Sequence, residues 1–248
     1  MSHFTVLVAT ESADTEALSA ALQPYHEYEC TGVKDEHVVF VDEHDDTVAE
    51  WESDEDAVVL PGGKIVRQTD EACYREPTFA EKEKIGVFGG SGWSKGLSYS
   101  SRDWGDGRGY RAKVLDYDRF EKTTVPTKHF WPDLWGYAKD YHGYDCHEGR
   151  IGRWTNPNAK WDWWVVGGRW DKALECSSGE SVNQARKSDL AKTPESFAIL
   201  HDGEWMQRGE MGWWAVVTDK DPDWDATRKA AFDRIPEGNF VTLVDCHI

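Results

Sequence analysis

Residues 211–248 read MGWWAVVTDKDPDWDATRKAAFDRIPEGNFVTLVDCHI, and this stretch carries the pattern that decides the fold. Met211 to Thr218 is aromatic and β-branched and predicts a strand. Asp221 to Asp223 supplies helix-start chemistry. Trp224, Thr227, Arg228, Ala231, Phe232 and Ile235 then follow at helical spacing, and Pro236 with Gly238 closes the helix. Phe240 to Ile248 alternates again and predicts a further strand. Toward the other end, His3 to Ala9 predicts a strand, and Ser12 and Asp14 offer N-caps for a helix through Leu18, Ala21 and Leu22 that Pro24 stops. Trp161 to Trp170 (WDWWVVGGRW) is a fourth strand-like run, and its paired glycines predict a bulge or a close backbone approach.

In chain order these segments give strand, helix, a long excursion, strand, strand, helix, strand. The expected fold class is α+β: a ferredoxin-like split βαβ core, an antiparallel sheet with helices on one face, carrying a large α/β insertion between the first helix and the second strand. Residues 1–30 and 159–248 form the expected core. Residues 31–158, too long for a loop, form the insertion and cover the sheet's otherwise bare face. Right-handed crossovers then put the first and third strands in the middle, with the WDWW and C-terminal strands at opposite edges. Three strand spacings are about 14 Å, so Asp162 and Asp245 are expected far apart. Residues 172–196 predict a polar linker with a helix through Val182 to Leu190.

Within the excursion, Val38 to Val41 and Val58 to Leu60 predict short strands flanking the acidic stretch DEHDDTVAEWESDEDA. YRAKVLDY predicts another strand, and Phe130, Leu134, Tyr137 and Tyr141 predict a short helix.

The 248 residues are 39% hydrophobic and 30% charged, with 14 tryptophans, a composition of a soluble globular chain with a sizeable core. Lys and Arg number 28 against 46 Asp and Glu, for a net charge of −18. Residues 1–60 hold sixteen acids and one lysine, Lys34, so the acidity belongs mainly to the N-terminal quarter. So few cations argue against general nucleic-acid binding, which depends on counterion release. The acidic residues 35–56 suit a basic host protein instead. No signal sequence or long apolar span is present, which predicts no membrane partner. The five cysteines are scattered without CxxC spacing, as expected of free thiols in a cytoplasm. Cys146 and His147, with His142, are the sole cluster resembling metal ligands; no metal and no cofactor is expected.

Two segments carry candidate ligand chemistry. The glycine-rich stretch from Gly86 to Gly109 offers backbone N–H groups with Lys95, Arg102 and Arg108, and Arg111 follows. It matches neither a P-loop nor a dinucleotide fingerprint nor a nucleophile elbow. NPNAKWDWWVVGGRW, residues 156–170, combines aromatic rings with Lys160 and Arg169, which suits a flat anionic ligand such as a nucleotide. Strand alternation points Trp161, Trp163 and Val165 one way and Asp162, Trp164 and Val166 the other. Asp162 is expected to pair with Lys160 or Arg169. The expected ligand-binding residues are Lys95, Arg108, Arg111, Lys160, Asp162, Trp163, Arg169 and Trp170. Asp245 and His247 share a strand face, raw material for acid and base chemistry, without an obvious partner nucleophile.

The segments REPTFAEKEKIG, SSRDWGDGRGYRAKV, NPNAKWDWWVVGGRW, EMGWWAVV and VTLVDCHI, with MSHFTVLV and PYHEYECTG, resemble a family of hypothetical proteins of tailed bacteriophages. The resemblance implies a phage-encoded accessory protein acting in the host cytoplasm. The expected function is to counteract a host defence or control system by binding a nucleotide-type signal or a basic host protein. The alternative is an enzyme that hydrolyses or transfers a nucleotide or phosphoester.

Overall fold

The computed structural model describes residues 2–82, 85, 91–94, 97–105, 110–212 and 216–248, with the backbone alone at 91–94 and 110. The chain divides into two compact units, one formed by Met1–Val41 with Trp154–Ile248 and the other by Asp42–Arg153. Both are mixed α and β. No described helix is long and apolar enough to cross a membrane.

The first unit is organised by one sheet, whose elements are numbered here in chain order: β1 (His3–Thr10), α1 (Thr15–Leu22), β2 (Trp163–Val166), β3 (Gln184–Arg186), β4 (Ala198–His201), β5 (Glu204–Gln207), α2 (Trp224–Arg234) and β6 (Phe240–His247). β6 and β1 pair antiparallel over their full lengths, from His3 against His247 to Thr10 against Phe240. β4 lies parallel to β1 on its other side, and β5 follows β4 as a hairpin. β2 and β3 both pair with the outer side of β6, β2 along Val244 to His247 and β3 along Phe240 to Thr242. The order across the sheet is therefore β2/β3, β6, β1, β4, β5.

This order corrects the ferredoxin-like expectation in four respects. First, β1 is the central strand, with β6 and β4 on either side of it, and the WDWW strand is the immediate neighbour of β6 rather than the opposite edge. Second, among the described residues the segment from Met211 supplies no strand of this sheet: Glu210–Met211 pairs with Val217–Thr218, and residues 213–215 lie outside those described. The strand beside β1 is β4, where Ala198, Ile199 and Leu200 are buried. It is joined to β5 through Asp202 and Gly203, whose φ of 53° and 71° make the double positive-φ turn that matches strand twist. Third, Val182 to Leu190 is not a helix; it forms short strands, including β3, and one 3₁₀ turn. Fourth, the helices cover both faces. Phe4, Val6, Val8, Leu200 and Val244 pack with Leu18 and Leu22 of α1, whereas Leu7, Ala9, Ile199, Val241 and Leu243 pack with Ala231 and Phe232 of α2. Adjacent residues of β1 and β6 are therefore buried on opposite sides, which explains the nearly unbroken apolar runs TVLVA and FVTLV.

Local signals hold where they are strongest. The Asp14 carboxylate accepts a 2.7 Å bond from the Ala17 N–H and caps α1. α2 starts and stops where its flanking Asp, Pro and Gly residues predict.

In the second unit, Asp54–Val59 lies between Ile65–Val66 and Glu121–Pro126, and Tyr74–Arg75, Tyr110–Leu115, Leu97–Asp103 and Ser91–Ser94 form a four-stranded sheet. Helices His44–Glu52 and Leu134–His142 complete it. The acidic stretch 42–57 is thus divided between a helix and a strand. Much of it is paired within the unit: Asp42 with Arg150 at 2.7 Å, Glu55 with Arg67 at 2.7 Å and Glu50 with His142 at 3.0 Å.

Two stability predictions follow from these contacts. Leu7→Ala costs about 2–5 kcal/mol and Val6→Ala about 1.5 kcal/mol, read from urea midpoints. A loss confined to one of these neighbours would mean that one sheet face is bare. In the second unit, the Arg75 guanidinium, with bonds of 2.7 Å to both oxygens of Glu81, holds that carboxyl down at about 2, and the Thr78 N–H reinforces it. A depressed carboxyl stabilises the fold above its ordinary value of 4.5 and loses that contribution as pH falls toward about 2. Glu81→Gln therefore lowers the melting temperature near neutrality, and the gap from wild type closes through that acid window.

Candidate functional site

The register of β1, β6 and β2 places His3, His247 and Trp163 side by side across three strands. Asp245, two residues before His247, lies on the same face and is 1% exposed. A carboxylate so buried needs charged or hydrogen-bonding partners, and two are present. His3 Nδ1 lies 2.8 Å from Asp245 Oδ1, and the Arg169 backbone N–H donates to Oδ2 at 3.0 Å. The second contact accounts for the paired glycines. Gly167 and Gly168 have φ of 72° and 54°, and a Cβ on Gly168 would lie 2.5 Å from the Asp245 Cβ. Only a chain without side chains there turns onto the carboxylate closely enough for the next N–H to reach it.

His247 repeats the arrangement. Its Nδ1 lies 2.7 Å from both oxygens of Asp162, whose backbone N–H is fixed by the His247 carbonyl at 3.0 Å. The rings of His3 and His247 meet edge to face at 4.8 Å between centroids, and the Trp163 indole stacks on His247 at 5.2 Å and 14°. The result is a chain Asp245, His3, His247, Asp162 in which each imidazole is oriented by a carboxylate on Nδ1. Neither Nε2 has a hydrogen-bond partner among the described residues, and neither is sealed from solvent. A ring held this way presents Nε2 as its working atom.

Each histidine lines its own cavity. His3 lines one of about 640 Å³, together with Trp170, Lys192, Ser196, Arg208 and Arg228. Arg228 is 9% exposed and donates to the Pro194 carbonyl and to Asp225, while its Nε and the Ser196 hydroxyl are buried without a partner. Lys192 is tied to Glu175 at 3.1 Å, and Glu195 is the other acid of the lining, leaving an excess of one cation besides His3. His247 lines the second cavity, of about 480 Å³, with Asp162, Glu27 and Cys30.

The expected ligand residues are dispersed. Lys95 and Arg108 lie outside the described residues. Arg111 belongs to the second unit and bonds Glu76 at 3.1 Å. Lys160 lies 3.6 Å from Glu210, so Asp162 pairs with neither Lys160 nor Arg169 but with His247. Trp163 is 44% exposed on its stack with His247, and the Arg169 side chain is exposed. Trp170 lines the larger cavity and Asp162 the smaller. The alternation expected for the WDWW run fails at its start. The strand begins at Trp163, and Trp161, whose indole donates to the Leu22 carbonyl, packs on the same core as Trp164. The expected separation of Asp162 from Asp245 also fails, because β2 and β6 are neighbours. Cys146 and His147 are exposed on a strand, Asp145–His147, and among the described residues they join no metal-binding group with His142.

His3 is the residue that sequence reasoning missed. Its only local signal is a histidine opening a buried strand, and its partner Asp245 is 242 residues away.

Gly168→Ala tests this construction. A positive φ and a collision with Asp245 make a loss of roughly 1–3 kcal/mol the expected outcome, measured by thermal or urea unfolding. Gly179→Ala, also at positive φ but with nothing within 4 Å, costs less; equal losses would show that the close approach to Asp245 contributes nothing.

No protein family, no curated protein and no solved structure matches the chain.

Proposed function

We propose that the first unit is an acid–base catalyst acting on a nucleotide-type phosphoester in the larger cavity. The observation that carries this reading is the Asp245–His3 pair: a buried carboxylate on Nδ1 and a free Nε2 in a residue lining that cavity. In the step envisaged, His3 Nε2 takes the proton from an attacking water or hydroxyl as its oxygen bonds to phosphorus. The leaving oxygen departs and receives that proton from His3. Asp245 stabilises the imidazolium formed in between. Lys192, Arg208 and Arg228 favour an anionic group, and the partnerless Arg228 Nε and Ser196 hydroxyl are donors such a group can satisfy after a small side-chain shift. Trp170 provides an aromatic wall for a base.

The sequence alone favours binding without turnover, because no complete nucleophile, base and oxyanion arrangement or metal set can be assembled from it, nor an oriented base. The Asp245–His3 pair supplies one and favours the enzymatic alternative. Together with the phage resemblance, this reading makes the substrate a nucleotide or nucleotide signal of the infected host cell.

The experiment is incubation with a panel of cyclic and linear nucleotides, followed by denaturation and chromatography of the ligands. Conversion is expected. His3→Gln should lower it about 10²–10⁴-fold while His201→Gln, on β4, leaves it unchanged. Intact recovery of every bound nucleotide would make the protein a binder, and undiminished turnover by His3→Gln would remove that residue from the chemistry.

A further inference from the structure

The smaller cavity holds a donor set that the acid–base reading does not use. Glu27 is the N-cap residue of a four-residue helix, Tyr28–Thr31, and its backbone N–H donates to the Trp161 carbonyl at 2.6 Å. Cys30 follows three residues later, one helical turn on, and so comes to the same side as Glu27. The Trp161 contact also brings Asp162 alongside. One ligand atom from each of Glu27, Cys30 and Asp162 lies within 4.8 Å of the other two.

A further buried group borders the same space. His247 also lines this cavity; its side chain is 8% exposed, its Nε2 has no partner among the described residues, and its Nδ1 clamps Asp162. Metal-binding carboxylates are themselves held by hydrogen bonds, and the imidazole on Asp162 is placed to supply one.

We propose that Glu27, Cys30 and Asp162 bind a divalent transition metal of the zinc class, with His247 positioning Asp162 from behind and the cavity leaving a fourth coordination position open. One sulfur and two carboxylate oxygens are a borderline-soft set that suits Zn²⁺ or Co²⁺ rather than Mg²⁺ or Ca²⁺. Tetrahedral zinc with bonds of about 2.0–2.3 Å sets its ligand atoms about 3.3–3.8 Å apart, so a modest closure of three side chains is all that is needed. Cys30 is exposed and Glu27 half-buried, so both can make that movement.

The test uses the full chain and the metal alone. Titration with Co²⁺ should give one equivalent of binding and a thiolate-to-cobalt charge-transfer band, and Zn²⁺ should displace it. Cys30→Ser should abolish the band, and Glu27→Gln should weaken binding at least about tenfold. Cys146→Ser, on an exposed strand of the other unit, should change neither. Absence of cobalt binding, or a band that persists in Cys30→Ser, would overturn the assignment. Both substitutions fall on a surface-exposed or half-buried turn, so circular dichroism can confirm folded variants. The readout is binding rather than turnover, so failure of the phosphoester reading leaves it intact, and the converse holds as well.

Discussion

Asp245 is the constraint around which the first unit is arranged. Its carboxylate sits on an interior strand of a sheet that is covered on both faces, where an unpaired charge costs several kcal/mol. Satisfying it requires His3, diagonally across the β1–β6 pair from a residue that lies opposite Thr5, and the Arg169 N–H from beyond the end of β2. The first requirement fixes the full-length register of β1 on β6. The second demands that β2 lie beside β6 and that the chain leave β2 through two residues without side chains. Strand order, register and the GG dipeptide thus share one electrostatic cause.

The same constraint explains how a polar cluster survives next to an apolar core. Along the α2 face of β6, Val241 and Leu243 pack under α2, and Asp245 and His247 follow at the same two-residue period. The face changes from apolar to ionisable halfway along one strand. There α2 no longer provides the covering; Trp163 stacks over His247 instead, and the Gly168–Trp170 turn closes on Asp245. A sheet of this kind offers a rigid platform, since the histidines stand on paired central strands rather than on loops.

Much of the local structure was legible in the sequence. The Asp14 cap, the span of α2 and the strands at His3 and Phe240 depend on neighbours a few residues away, and these signals were read correctly. The Gly167-Gly168 close approach was legible as well, though not its target. What failed was pairing. Of the six strands in the sheet, β1, β2 and β6 fall in runs that the sequence predicts as strands and β3 falls in the expected linker, while β4 and β5 lie between that linker and Met211, where no element is predicted although HDG between two apolar runs is a hairpin signal. Assigning the role of β4 to Met211 to Thr218 then fixed a wrong strand order, and that order separated Asp162 from β6. The candidate site was lost through that one substitution of strands, because residues 85 and 242 positions apart in the chain meet only when the order is right.

Charge teaches a related lesson. The linear sequence concentrates acidity in residues 1–60, and the folded chain returns cations from later positions to it: Arg150 to Asp42, Arg67 to Glu55 and Lys128 to Glu52. Such exposed pairs each contribute little to stability, yet they shorten the reach of the negative field. The two acids of the histidine cluster are of another kind. Asp245 and Asp162 are among the carboxylates withdrawn from solvent and set on imidazoles, and neither lies in the acidic quarter. The acidic stretch from Asp42 and the histidine cluster therefore belong to different units of the chain, and in the second each imidazole is oriented by a carboxylate withdrawn from solvent.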